Sequence, residues 1–368
     1  MSIEKKSNGR YLARWRDPSG KQKAKSFKRK MDADRFLASV TVDALQGRYI
    51  DPTAGRETVE AFAGRWADAQ PWRETTRESR ETVLDRHIVP TFGAMPLRAV
   101  RPSDVQAWVG RMSAAGLASS SVAAYFRVLA QLMRAAERDK LIAVSPCVGV
   151  KLPRADRAAT ALTVLTSEQV AALAAEVPER YRALVVASAG LALRQGEACA
   201  LTVDRIDFLR RRVTVDRQVV TTRAGCELGP PKTPSSNRVI PLPAAVGEML
   251  AAHLSAFGEG PHRLLFRTVD GTMLSRQTWH ATFSAAARRL NIDASTHDLR
   301  HHAASLLIAS GCSPRAVASF LGHKNAAETL NTYAHLWPTD EDRITAAIDA
   351  GLREDVHEMC TPAVSVDP

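Results

Sequence analysis

The chain has 368 residues, enough for two or three domains and at least one well-buried core, with 45% hydrophobic and 24% charged residues as in an ordinary globular protein. Its formal net charge is +11, and eleven of the first thirty residues are Lys or Arg against Glu4 and Asp17, so a polyanion is the expected partner. Five scattered cysteines (Cys147, Cys199, Cys226, Cys312, Cys360) without a CxxC pair argue against a disulfide framework or a zinc module. The longest near-apolar run, residues 183–193, falls short of the roughly 18 residues that span a bilayer. The start MSIEKKSNGR has no apolar leader segment, so a soluble protein of the cytoplasm, without a membrane partner, is expected.

In chain order, residues 1–50 predict a small α+β module. Tyr11, Ala13 and Trp15 alternate with Arg14 and Arg16, the turn signal Asp17-Pro18-Ser19-Gly20 makes a β-hairpin, and a helix is expected over 31–46 with Gly47 as its stop. Arginines and aromatics interleaved on a hairpin suit nucleic-acid contact, with Arg14, Arg16, Lys21, Lys23, Lys25 and Lys28 as the candidate DNA-binding residues; a merely solvated basic face has the same composition. Residues 47–56 read as a linker.

Residues 57–150 predict an all-α domain, with helical spacing in Val59-Phe62-Trp66, Val105-Trp108-Met112 and Val122 through Met133, and a capping box at Ser103–Gln106. A basic, proline-containing linker follows over 150–160. Residues 161–352 predict a mainly α domain with a small β-sheet. It opens with a capping box at Thr166–Gln169, carries an apolar helix over 181–193, and has a β-rich stretch over 212–242 whose strands flank a loop holding Lys232. Residues 353–368 form a C-terminal tail.

The second half also carries a set of cations ending at one hydroxyl: Arg194, Lys232, His297, Arg300, His323 and Tyr333. Cleaving a phosphodiester calls for charge on its non-bridging oxygens, a nucleophile in line, and a proton donor for the leaving oxygen. Glu197, three residues after Arg194, is placed to hold that guanidinium, although the pair alone also reads as a helical ion pair. His297 and Arg300 share one helical face after Ala294-Ser295-Thr296, a helix start whose dipole favours an anion. His301 and His302 are expected to serve packing or support. Ser313-Pro314 predicts a helix start and Gly322 its stop, which puts His323 just beyond. No cofactor is expected: there is no GxxxxGK[ST] loop and no paired carboxylates for magnesium, and an arginine among the histidines would repel zinc.

The order and spacing of these words resemble the tyrosine recombinases of the phage integrase family. Arg194-Gln195-Gly196-Glu197 matches the family's first arginine motif, and 232–238 (KTPSSNR) its hairpin lysine motif. Residues 297–301 (HDLRH) match its HxLRH box, Leu321-Gly322-His323 its LGH box, and Asn331-Thr332-Tyr333 its nucleophile segment. The resemblance extends over nearly the whole chain, with 57–153 similar to a core-binding domain and the basic hairpin to an arm-type DNA-binding domain. One departure is Ala192, where the family usually has Gly.

The resemblance implies the recombinase catalytic fold and a site-specific integrase of a prophage or integrative plasmid. In that chemistry Tyr333 forms a 3′-phosphotyrosine, Arg194 and Arg300 bind the phosphate oxygens, and Lys232 protonates the 5′-oxygen. His297 acts as acid/base toward the tyrosine, His323 hydrogen-bonds the phosphate, and Glu197 supports. Implied partners are core-type and arm-type attachment sites on double-stranded DNA, a homo-tetramer on synapsed DNA, and an accessory bending or directionality factor; bound to DNA, the protein would sit with the nucleoid. The amphipathic stretch through Ile344, Ile348 and Leu352, after a break at 337–340, either packs on a neighbouring subunit or closes its own domain. A chromosome-dimer resolvase and a non-catalytic DNA-binding regulator are the competing functions.

Overall fold

Alternation of Tyr11, Ala13 and Trp15 with Leu12, Arg14 and Arg16 gives one strand an apolar face, and that strand is the middle of the first sheet. The computed structural model describes residues 2–17, 20–45, 49, 51, 54–154, 164–337 and 344–352, in two units, Met1–Ala161 and Leu162–Pro368. In the first unit β2 (Tyr11–Arg16) pairs antiparallel with β1 (Ser2–Lys5) and with β3 (Gln22–Phe27). The sequence predicts the hairpin but not β1, whose residues are polar apart from the half-buried Ile3. Helix α1 (Lys30–Leu45) covers the apolar face through Ala33, Leu37 and Val40, while Val42 and Leu45 stay exposed, so its apolar stripe is narrower than the spacing implies. Trp15 Nε1 donates to the Tyr49 hydroxyl at 2.8 Å. Pro18, Ser19 and the Gly47 stop lie outside the described residues.

The rest of this unit is helical: α2 (Val59–Asp68), α3 (Glu74–Val83) running through a wide turn at Leu84–Ile88 into α4 (Val89–Phe92), α5 (Pro102–Ala114) and α6 (Ser119–Arg138). Phe62, Ile88, Phe92, Trp108, Leu129, Leu132 and Met133 form its core. The start of α5 differs from the predicted box. Arg101 caps it, with its backbone N–H donating to Asp104 Oδ2 at 2.9 Å, because Pro102 fits the first helical position and lacks the N–H that would need a partner.

In the second unit α7 (Ser167–Glu176) starts as predicted: Gln169 N donates to Thr166 Oγ1 at 3.2 Å and Thr166 N to Gln169 Oε1 at 2.9 Å. Helix α8 (Glu179–Gly190) is apolar nearly all round and packs against α7, α10 (Ala244–Phe257) and α12 (Asp298–Ala309). It ends at Gly190, before the predicted Leu193, and Leu191 to Leu193 form a turn into α9 (Gln195–Cys199).

The β-rich stretch splits into two sheets. Strands β4 (Ile206–Asp207), β5 (Arg212–Val215) and β8 (Arg238–Pro241) form one, and β6 (Gln218–Thr222) with β7 (Gly225–Gly229) forms a separate hairpin, so Lys232 lies between β7 and β8. Helices α11 (Arg276–Arg289), α13 (Pro314–Leu321), α14 (Ala326–Tyr333) and α15 over 344–352 complete the unit. Residues 155–160 of the second linker, 338–340 of the predicted break and the tail 353–368 lie outside the described residues. Among the described residues no helix is long and apolar enough to cross a membrane.

Candidate active site

Arg194 caps α9, where its backbone N–H donates to Glu197 Oε2 at 3.0 Å. Its guanidinium donates through Nη1 to Glu197 Oε1 at 3.0 Å and Ser236 Oγ at 3.1 Å, and through Nη2 to the Gly322 carbonyl at 3.2 Å. A guanidinium has more N–H donors than these contacts use, so some are left for an incoming anion. The predicted ion pair therefore exists, but as one part of a larger clamp. Arg238 closes it: Nη2 donates to Glu197 Oε2 at 3.0 Å, Nε to the Phe320 carbonyl at 2.9 Å and Nη1 to the Ser236 carbonyl at 3.0 Å. Burial acts to raise the Glu197 pKa, but Arg238 and then Arg194 outweigh it and hold the carboxyl below its usual range.

Arg300 is 2% exposed and donates through Nη1 to the Ala192 carbonyl at 2.7 Å. Burial first, and then the neighbouring Arg194, lower its pKa to about 9, so it is still a cation at neutral pH. Ala192 has φ of 51°, a left-handed conformation that costs an L-residue about 1–2 kcal/mol. That explains why glycine suits this position, and here the strained turn aims a carbonyl at the buried arginine.

Gly322 ends α13 in the left-handed conformation (φ 69°, ψ 42°), as its position in the sequence predicts. His323 follows, its Nδ1 hydrogen-bonded to Thr329 Oγ1 at 2.8 Å; burial and then Arg300 lower its pKa to about 4. Lys232 is exposed and lines, with Arg194, Ser236, Gly322, Lys324 and Glu328, a cleft of ≈ 760 Å³. Lys324 is a cation of this cleft that the motif reading leaves aside. Among the described residues no group of three or more His, Cys, Asp or Glu side chains gathers to hold a metal.

Tyr333, the last residue of α14, is 1% exposed and packs in a small core with Ala192, Ala303, Ala304, Ile308, Val317 and Leu321. Burial pushes its pKa up to about 12. Its hydroxyl lies 2.6 Å from Nδ1 of His301. His297, expected to serve the tyrosine, instead caps α12 exposed to solvent, with its ring edge-on to that of His301 at 4.6 Å. Its pKa is nevertheless lowered, by the protein mass around it and then by Arg300. His301, expected to serve packing or support, is the histidine that touches the phenol, and which of two neighbouring histidines does so depends on where α14 sits. His302 does pack as expected, buried with Nδ1 on the Leu165 carbonyl at 2.7 Å.

Three buried or half-buried arginines around one carboxylate, with a tyrosine and histidines beside them, form a site built for a phosphate ester. Two family models match the chain, that of the phage integrase family at residues 163–339 and that of the phage integrase N-terminal SAM-like domain at 58–113. The chain thus carries a phage integrase family domain and a phage integrase N-terminal SAM-like domain. Among relatives, the prophage phiRv2 integrase of Mycobacterium tuberculosis is 28% identical, covering 96% of this chain and 95% of its own. The integrase of Mycobacterium phage L5 is 26% identical over 88% and 90%. Among solved structures, the Tn1549 transposon integrase in complex with a circular intermediate DNA superposes with a TM-score of 0.68 at 22% identity, covering 79% of this chain and 99% of that one. A lambda integrase dimer bound to a COC′ core site gives 0.62 at 16% identity, over 92% and 96%. The family's catalytic fold is thus the fold of this chain.

The N-terminal sheet divides the other candidate residues. In register, Trp15 pairs with Lys23 and Ala13 with Lys25, so both lysines lie on the face that α1 covers. Lys23 pairs with Asp51, and the Lys25 ammonium sits over the rings of Phe27 and Phe36, 5.5 and 4.6 Å from their centroids. Arg14 and Arg16 project from the open face, where Arg14 also meets Glu4 at 2.9 Å. Lys21 and Lys28 are exposed at the ends of β3. The period-two pattern places Lys23 and Lys25 only once the strand register is known, so the sequence alone groups them with the DNA-binding candidates.

Proposed function

We propose that the protein is the site-specific tyrosine recombinase of a mobile element, a DNA strand-transferase that cuts and rejoins DNA through a 3′-phosphotyrosine. The observation that carries this is Tyr333 at the end of α14, beside the buried Arg300 and the Arg194–Glu197–Arg238 clamp. Arg194 and Arg300 bind the non-bridging oxygens of the scissile phosphate, since planar forks match a phosphoryl group better than point charges do. Tyr333 attacks phosphorus, the bond to the 5′-oxygen breaks, and Lys232 supplies that oxygen with a proton. His323 donates a hydrogen bond to the phosphate, and Glu197 holds Arg194. The phosphotyrosine conserves the bond, so a 5′-hydroxyl can reverse the reaction without a nucleotide cofactor.

The open face of the N-terminal sheet, with Arg14 and Arg16, supports a second DNA contact of the arm type. Helix α15 exposes Ile344, Ile348 and Leu352 at 56%, 54% and 51%, a stripe that supports a tail serving a second copy in a tetramer on synapsed DNA. Lambda integrase, whose fold this chain shares, forms a tetramer bound to a Holliday junction.

A nicked suicide duplex carrying the core site tests the chemistry: the unaltered protein forms a covalent protein–DNA adduct and Tyr333→Phe forms none. An adduct that persists in Tyr333→Phe overturns the nucleophile assignment.

A further inference from the structure

Strand β7 ends at Gly229 because the chain turns to proline. Gln218 pairs with Gly229 at the open end of the β6–β7 hairpin, and the next two residues, Pro230 and Pro231, have no backbone N–H to continue the ladder. The Pro230 carbonyl can still accept, and a side chain reaches it: Gln218 Nε2 donates to it at 2.9 Å. Lys232 follows two residues later. We propose that Gln218 is a positioning residue for this lysine, its amide holding the Pro230 carbonyl so that the ammonium stands in the cleft where the 5′-oxygen departs. The proposal rests on the recombinase reading and deepens it by naming what aims the proton donor.

Both ends of the lysine segment are anchored beside Arg194. Gln218 lies against α9, the helix that Arg194 caps: a Cβ built on Gly196 would come within 3.4 Å of both Cβ and Oε1 of Gln218, and within 3.2 Å of the Val219 carbonyl. Glycine at 196 lets the hairpin come this close. Beyond the lysine, the hydroxyls of Thr233 and Ser236 are 3.0 Å apart, and Ser236 Oγ accepts from Arg194 Nη1 at 3.1 Å. Pro231, between the tether and the lysine, is buried, and the proline rings fix φ at 230 and 231. A hydrogen bond at Pro230 therefore governs where the backbone of Lys232 begins.

Lys232 lines the cleft and Gln218 does not, so any effect of Gln218 on the reaction must pass through its neighbours. The leaving group reports on which neighbour. When the bond from phosphorus to the 5′-oxygen breaks, the electron pair stays on oxygen, and the Lys232 ammonium supplies the proton that makes it a hydroxyl. A sulfur in the same bridging position leaves as a thiolate, a far weaker base than an alkoxide, and needs no donor. Loss of the lysine's aim should be felt with oxygen and not with sulfur, whereas a general loosening of the site should be felt with both.

The test uses the full chain and a pool of nicked duplexes with a randomised core, from which the unaltered protein selects a cleavable sequence as its covalent adduct. That duplex is then made with either oxygen or sulfur at the bridging 5′ position of the cleaved phosphate. Single-turnover adduct formation is compared for the unaltered protein, Lys232→Ala, Gln218→Met and Gln218→Leu. Methionine matches glutamine in length and leucine roughly in bulk, and neither can donate to a carbonyl. Both Gln218 variants are expected to bind the duplex as before, to cleave the oxygen duplex about 10–10²-fold more slowly, and to cleave the sulfur duplex at the unaltered rate. Lys232→Ala should show the same pattern with a larger deficit. Gln218→Met cleaving the oxygen duplex at the unaltered rate would make the hydrogen bond idle, and an equal loss on both duplexes in both Gln218 variants would reduce Gln218 to packing; either overturns the proposal. A Lys232→Ala deficit that sulfur leaves in place would overturn the lysine's role as donor, and Gln218's with it. Selection of no adduct by the unaltered protein would instead overturn the recombinase reading on which both rest.

Discussion

Arg194 and Lys232 line one cleft but differ in exposure and in the segments that carry them. The arginine is fixed through a carboxylate, a hydroxyl and a helix-end carbonyl, with Arg238 bracing the same carboxylate from the far side. The lysine is exposed on the segment between β7 and β8. The contrast follows the chemistry. Groups that stabilise charge on a phosphoryl group act best when already oriented, because no reorganisation is then needed during reaction. In the proposed reaction the proton donor for the leaving oxygen, Lys232, has work only once the strand is in place, and an exposed position serves that role.

Substitutions on the two sides should therefore fail differently. Arg238→Ala is expected to have the largest effect: it leaves Glu197 buried with a partner lost and should cost about 3–5 kcal/mol, read by urea unfolding, together with most of the cleavage activity. Arg238→Lys should recover little, since an ammonium cannot serve the Phe320 and Ser236 carbonyls and Glu197 at once. Lys232→Ala should leave the unfolding curve in place and slow adduct formation by about 10²–10⁴-fold. Comparable destabilisation by both alanines would end the distinction between clamp and loop.

Acid should act on the clamp side. Glu197 has a folded pKa below its ordinary 4.5, so its contribution is present above that value and lost as pH falls through the folded one. His301 and His323 titrate near 4 against an ordinary 6.5, so each prefers the folded state when neutral, and that preference is lost as pH drops from about 6.5 through 4. The melting temperature should hold near neutrality and fall across that window, and His323→Asn should flatten the fall. The smallest effect is expected from Ala192→Gly. It relieves the left-handed strain but gives up a buried methyl and adds chain entropy, so unfolding free energy should move by no more than about 1 kcal/mol.

How far the sequence could be read depended on how local each cause was. The Thr166–Gln169 box, the Arg194–Glu197 spacing and the Gly322 stop are interactions within one turn, and each is where the residues predict it. The catalytic fold was legible through the family motifs rather than through periodicity. Three features were not legible. Arg238 works through a carbonyl on α13, 82 residues away. The choice between His297 and His301 depends on a helix that begins at Ala326. Strand β1 exists because β2 offers it an edge, not because its own residues alternate. Each is decided by tertiary packing, which leaves no periodic trace in the chain.

Gly322 sets a limit on the freedom of this sequence to drift. Its carbonyl receives Arg194, and a Cβ built there would come within 3.0 Å of the pinned Arg238 guanidinium. A side chain would thus be penalised twice, by the left-handed backbone and by the arginine. In a library covering every position, Gly322 should tolerate few replacements, although it contributes no side chain to the reaction.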